Sequence, residues 1–171
     1  MKVGILLEEL FDEREFIYPY YRVQEAGLTP LVIGTESRAY KAKSGWMARA
    51  SVAAHEVDAG ALAGLVIPGG YAPDRLRRSF DVLELVRAID RANKPLAAIC
   101  HAGWVLISAG VVRGRRLTGY FSIKDDLTNA GAEYVDEPLV VSGNLITSRG
   151  PDELPLWARA FVDAVLQNTQ P

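Results

Sequence analysis

The sequence predicts an α/β sandwich around a mostly parallel sheet, and three observations carry that prediction. Short, continuous apolar runs at Val3 to Leu7, Pro30 to Gly34, Leu65 to Ile67 and Leu96 to Ile99 read as strands covered on both faces. Segments with helical apolar spacing alternate with them. Three of the runs end in loops dense in acids, glycines or a nucleophile, the composition expected beyond the carboxyl ends of parallel strands.

Taken in order, Val3 to Leu7 is the first strand, and the helix after it places Phe16, Tyr20 and Val23 on one face. Gly27 ends that helix, and Pro19 inside it predicts a kink. Pro30 to Gly34 is the second strand, and residues 40 to 53 read as short β segments around Gly45. Leu65 to Ile67 runs into Pro68-Gly69-Gly70. Val82, Leu85, Val86 and Ile89 keep the i, i+3, i+4, i+7 spacing of a helix packed on a sheet, and Lys94-Pro95 breaks it. Leu96 to Ile99 leads into Cys100-His101-Ala102-Gly103 and a second helical pattern through about Ala109. Pro138 to Val141 and Leu145 to Ser148 flank Gly143-Asn144, a hairpin signal. Leu154, Trp157, Phe161 and Val165 mark the apolar face of a last helix.

The 171 residues fit one domain, expected to span 1–171, with 49% hydrophobic and 23% charged residues, a globular balance. A net charge of −2 gives no general attraction to phosphate backbones or anionic lipid, which argues against nucleic-acid and membrane-surface binding. The N-terminus turns acidic after Leu7 and lacks the apolar core and cleavage site of a signal peptide, so a cytoplasmic protein is expected. With no spare Cys/His cluster and no Gly-x-Gly-x-x-Gly after the first strand, neither a metal nor a dinucleotide cofactor is expected.

If the strands ending at Leu7, Ile67 and Ile99 are parallel, the loops after them share one sheet edge. The first loop carries Glu8, Glu9, Asp12, Glu13 and Glu15, the second Gly69, Gly70 and Asp74, the third Cys100 and His101. A lone cysteine is usually a small buried hydrophobe. Cys100, however, lies directly after a buried strand and before a helix, the place of a nucleophile elbow. Helix N–H groups there favour a thiolate, and a shift of two units would be worth about 2.7 kcal/mol. His101 is the candidate general base, although adjacent residues on a helix do not face each other. The N–H groups of Gly70 and His101 form a candidate oxyanion hole, while Gly-Gly also suits a plain strand-exit turn. Among the acids Glu15 is the first choice for the crevice, where a protonated carboxyl can donate to the sulfur.

These residues sit in a wider pattern: Ile17-Tyr18-Pro19-Tyr20, Val66-Ile67-Pro68-Gly69-Gly70, Ala72-Pro73-Asp74-Arg75-Leu76-Arg77, Ala98-Ile99-Cys100-His101 and Leu106-Ile107-Ser108-Ala109-Gly110-Val111. Ile123-Lys124-Asp125-Asp126, Asn129-Ala130-Gly131-Ala132-Glu133 and Thr147-Ser148-Arg149 follow. With them the chain resembles, along nearly its whole length, the PfpI-type intracellular cysteine peptidases. These belong to the class I glutamine-amidotransferase-like superfamily, which also holds the Parkinson's-associated protein deglycase. The resemblance implies a flavodoxin-like three-layer fold with Cys100 as nucleophile and His101 beside it. It implies a carboxylate lent by a neighbouring subunit at Asp74, hence a dimer or hexamer, and the superfamily's cysteine-facing acid at Glu15. Asp12 and Tyr120 fall at family positions near the site, and Trp104 stands where many relatives have Gly-Pro, so it reshapes the pocket mouth.

Two functions compete. The first is a cysteine-dependent hydrolase acting on peptides or aldehyde-derived adducts in stress protection, with a small carbonyl compound or peptide as substrate. The second is a redox-sensing or chaperone-type stress protein that uses an oxidisable Cys100 without turnover. A glutaminase is the weaker third, since no histidine follows His101.

Overall fold

The computed structural model describes residues 1–170. In chain order the elements are β1 Lys2–Leu7, α1 Glu13–Glu25, β2 Thr29–Gly34, β3 Ala39–Lys41, β4 Met47–Arg49, β5 Val52–Ala53, β6 Leu62–Ile67, α2 Ala72–Leu76 and α3 Phe80–Arg91. They continue with β7 Leu96–Ile99, α4 Gly103–Ala109, β8 Arg116–Leu117, α5 Lys124–Asn129, β9 Glu133–Tyr134, β10 Leu139–Ser142, β11 Leu145–Ser148 and α6 Leu154–Asn168. The central sheet has seven strands in the order β10-β11-β7-β6-β1-β2-β5. All neighbours pair parallel except β10 with β11.

This order makes the layers. The chain leaves β1 for β2 in one direction along the sheet and β6 for β7 in the other. Right-handed crossovers in opposite directions put α1 and α3 on opposite faces. The α6 helix joins α1, and α4 packs with both α2 and α3. Val82, Leu85, Val86 and Ile89 of α3 are all buried, as their spacing requires. Each such aliphatic side chain contributes roughly 1.5–3 kcal/mol through burial. Trp157 on α6 is fully buried and donates its indole N–H to the Ile146 carbonyl at 3.2 Å, so its one polar atom is satisfied.

Two local expectations gain detail. The α1 helix runs unbroken through the buried Pro19, whose missing N–H withholds the helical bond from the Glu15 carbonyl. The short segments of residues 39–53 do not simply extend the sheet. β3 and β4 form a separate antiparallel hairpin, and only β5 joins the sheet edge. The hairpin is tied to the loop after β1 by Leu10 N–H to the Lys41 carbonyl at 2.7 Å and Lys43 N–H to the Phe11 carbonyl at 3.0 Å. Among the described residues no helix is long and apolar enough to cross a membrane.

Candidate active site

The loops after β1, β6 and β7 meet, as parallel strands require. Asp12 N–H donates to the Gly69 carbonyl at 3.2 Å, Tyr71 N–H to the Leu10 carbonyl at 2.9 Å, and Phe11 bridges Gly70. Gly69 lies between the two chemically loaded loops. A Cβ there would fall 2.5 Å from Glu15 Oε1 and 2.9 Å from the Cys100 Cβ. Gly70 has φ +81°, and a Cβ on it would meet Asp12 N at 2.5 Å. Only glycine allows both the left-handed turn and this approach.

Cys100 also has a left-handed backbone, φ 60°, a conformation that costs an L-residue with a side chain roughly 1–2 kcal/mol. It opens a turn of 3-10 helix, Cys100–Ala102, ahead of α4. That turn accounts for a contact the sequence left open. Adjacent residues in a regular helix diverge, but the left-handed Cys100 brings its Sγ to 3.2 Å from His101 Nδ1. Both Gly70 and His101 direct their backbone N–H groups at the sulfur.

The electrostatics correct the expected thiolate. Burial, then the Glu15 charge, push the Cys100 thiol up to about 12, and the two backbone N–H groups only partly offset them. The resting sulfur is therefore a thiol. Glu15 is fully buried, and burial followed by the nearby Asp12 charge raises its carboxyl to about 7. Its Oε1 accepts from Gly69 N–H at 2.8 Å, while Oε2 has no partner, the arrangement of a carboxyl that keeps a proton near neutral pH. A proton on Glu15 removes its repulsion of the sulfur. Burial and the Lys43 charge hold His101 below its usual value, so the imidazole is neutral and can accept a proton.

The remaining expected residues divide. Tyr120 stacks on the His101 ring with centroids 5.0 Å apart, and its N–H donates to the Cys100 carbonyl at 3.1 Å. Trp104 meets the same imidazole edge-on at 5.2 Å and is itself held by Asp126 through its indole N–H at 2.9 Å. Asp12 lies beside the site, but its carboxylate is engaged. It caps α1 through the Arg14 and Glu15 N–H groups and pairs with Arg14 at 2.8 Å and Lys43 at 3.1 Å. Asp12 thus supports Lys43 and the start of the helix. Asp74, on α2, is half-exposed, pairs with Arg78 and makes no hydrogen bond to Cys100 or His101 of its own chain.

Two groups were invisible to sequence reasoning. Lys43 comes from the loop of the β3–β4 hairpin, outside every strand-exit loop. Ser122 Oγ lies 3.2 Å from His101 Nε2, in a short turn with no periodicity to announce it. An open cleft of about 550 Å³ adjoins the imidazole at Tyr120 and is bounded by Phe121, Arg14 and Arg149. Among the described residues no group of three or more His, Cys, Asp or Glu side chains is placed to hold a metal ion.

The chain is similar to known proteins over nearly its whole length. The model of the DJ-1/PfpI family matches residues 1–164. A deglycase of Pyrococcus abyssi is 43% identical over 162 residues, covering 95% of this chain and 98% of the relative. General stress protein 18 of Bacillus subtilis is 38% identical over 162 residues, 92% of this chain and 94% of the relative. The crystal structure of Drosophila melanogaster DJ-1beta superposes with a TM-score of 0.88 at 30% identity, covering 97% of this chain and 94% of that one.

Proposed function

The chain belongs to the DJ-1/PfpI family, and from that premise we propose that it is a PfpI-type cysteine-dependent hydrolase, attacking carbonyl groups of aldehyde-derived adducts or peptides in stress protection. One observation supports this reading above the others: a thiol 3.2 Å from a neutral imidazole, under two convergent backbone N–H groups. A thiol pushed up to about 12 is a poor spontaneous target for oxidants, which favours the hydrolase over the redox-sensing alternative.

In the proposed reaction Cys100 Sγ bonds to the substrate carbonyl carbon while its proton passes to His101 Nδ1. The carbonyl electron pair moves to oxygen, where the Gly70 and His101 N–H groups receive the charge. With a nitrogen leaving group, the His101 proton goes to that nitrogen as the C–N bond breaks. Water then attacks the thioester, gives its proton to His101 and releases the acid and the thiol. Glu15, protonated, sets no negative charge against the sulfur during the attack, and Tyr120 and Trp104 flank the imidazole. Asp74, which pairs with Arg78 and makes no hydrogen bond to its own His101, serves the His101 of a second copy in a homo-oligomer.

The test supplies methylglyoxal, glycated amino acids and fluorogenic peptides to wild type and Cys100→Ala. Turnover is expected to fall at least about 1,000-fold in the variant, as when a covalent nucleophile is lost. Equal turnover by both proteins overturns the assignment. Mixing Cys100→Ala with Asp74→Asn chains is expected to restore part of the activity that each lacks alone; no restoration removes the shared carboxylate.

A further inference from the structure

We infer that Ser122 is a positioning residue for His101, fixing within one chain the imidazole tautomer that can take the thiol proton. The inference rests on the reading of His101 as the base. His101 has aromatic contacts on two sides, the Tyr120 ring stacked at 5.0 Å and the Trp104 ring edge-on at 5.2 Å. Those contacts set the ring plane, yet they are the same for either flip of the ring about its own axis. Hydrogen bonds have to choose between the flips.

They choose consistently. Cys100 is a thiol, so its one hydrogen-bonding proton points to Nδ1, which must then be the bare acceptor. The ring proton is therefore on Nε2, and its partner is Ser122 Oγ at 3.2 Å. When Nδ1 takes the thiol proton the ring becomes a cation, and the Nε2–H bond to Ser122 strengthens as its donor acquires charge. The hydroxyl thus stabilises the imidazolium against the Lys43 charge and burial, both of which oppose it. Ser122 keeps its own hydroxyl proton, free to donate outward to solvent or to a carboxylate from a second copy.

Although Ser122 is exposed, its backbone is anchored. The turn Phe121–Ile123 follows Tyr120, whose N–H is bonded to the Cys100 carbonyl, and Ile123 closes the turn through its N–H to the Tyr120 carbonyl at 3.0 Å. The Ile123 side chain is buried, and so tightly set against the start of α4 that a Cβ on Gly103 would lie 3.0 Å from its Cδ1. The hydroxyl is held over Nε2 by the same loop that binds the elbow.

Two histidines in the chain make the test direct. Protein labelled with 15N-histidine, with His55→Gln to assign the other ring, reports the tautomer by long-range 1H–15N correlation. Wild type is expected to show neutral His101 protonated on Nε2, and Ser122→Ala a shift toward a mixture of tautomers. Alkylation of the single cysteine by iodoacetamide is expected to slow by about three- to tenfold in Ser122→Ala, the worth of one ordinary hydrogen bond, and to recover in Ser122→Thr. An Nδ1-protonated ring in wild type, or unchanged tautomer and alkylation rate in Ser122→Ala, overturns the inference. Absence of Cys100-dependent turnover, with the NMR and alkylation results as expected above, overturns the hydrolase reading and leaves this one standing.

Discussion

The two strand exits that frame the site adopt the same unusual backbone with opposite residue choices. After β6 the left-handed position is Gly70, φ +81°; after β7 it is Cys100, φ 60°. At the first exit the backbone of the neighbouring loop leaves no room for a Cβ, so the residue without one is required and the turn is relaxed. At the second a side chain is retained in a conformation that disfavours it. The difference teaches that the elbow keeps its strain for the sulfur: only a bent Cys100 lies against His101 Nδ1 and under both N–H groups.

The comparison breaks most visibly at Gly70. Gly70→Ala forces a Cβ to within 2.5 Å of backbone nitrogen in a left-handed position, so the turn must shift and withdraw one N–H from the sulfur. Turnover is expected to fall by about 100- to 1,000-fold, as when one oxyanion donor is lost. Steady-state kinetics on folded variant protein check this, and a Gly70→Ala enzyme with wild-type turnover would exclude that N–H from the reaction.

Glu15, wedged between the exits, sharpens the comparison next. Its folded carboxyl titrates at about 7 against an ordinary 4.5, so the folded state holds the proton more tightly than the unfolded chain. The stability this provides is complete below pH 4.5 and is lost as the pH rises through 7. By pH 9 the loss approaches about 3 kcal/mol. Glu15→Gln, which cannot ionise, is expected to match wild type near pH 4 and to exceed it in denaturant midpoint at pH 9. A wild-type advantage at pH 9 would mean that the carboxylate is better solvated than its burial implies.

The smallest effect is the most specific. Alanine at position 100 retains the left-handed strain and glycine relieves it, so Cys100→Gly is expected to be more stable than Cys100→Ala by about 1 kcal/mol. Elsewhere glycine is usually the less stable of the two. Chemical denaturation of the two inactive variants measures the difference, and the ordinary order would show the elbow to be unstrained.

Periodicity and apolar runs sufficed for β1, β2, β6, β7, β10 and β11, for α3 and for the meeting of three loops, because these depend on burial patterns that a linear sequence carries. Cys100 was readable because it directly follows a buried strand, and Glu15 because it sits one helical turn before Pro19 at the position the resemblance marks. The state of the sulfur was not, since the helix-terminus argument counts N–H groups while desolvation depends on packing from the whole fold. The Cys100–His101 contact was hidden in one backbone angle. Lys43 and Ser122 arrive on a hairpin and a turn whose residue types have many other uses, so no spacing distinguishes them.

The sheet itself closes with short borders. One edge is the two-residue β5, and the other is the antiparallel, four-residue β10 that follows Pro138. Neither offers a long row of open backbone groups on which another strand could template, the feature that leads many exposed sheets into runaway stacking. In the homo-oligomer proposed above, contacts between copies would then fall to helices and loops, surfaces whose fit can be set one side chain at a time.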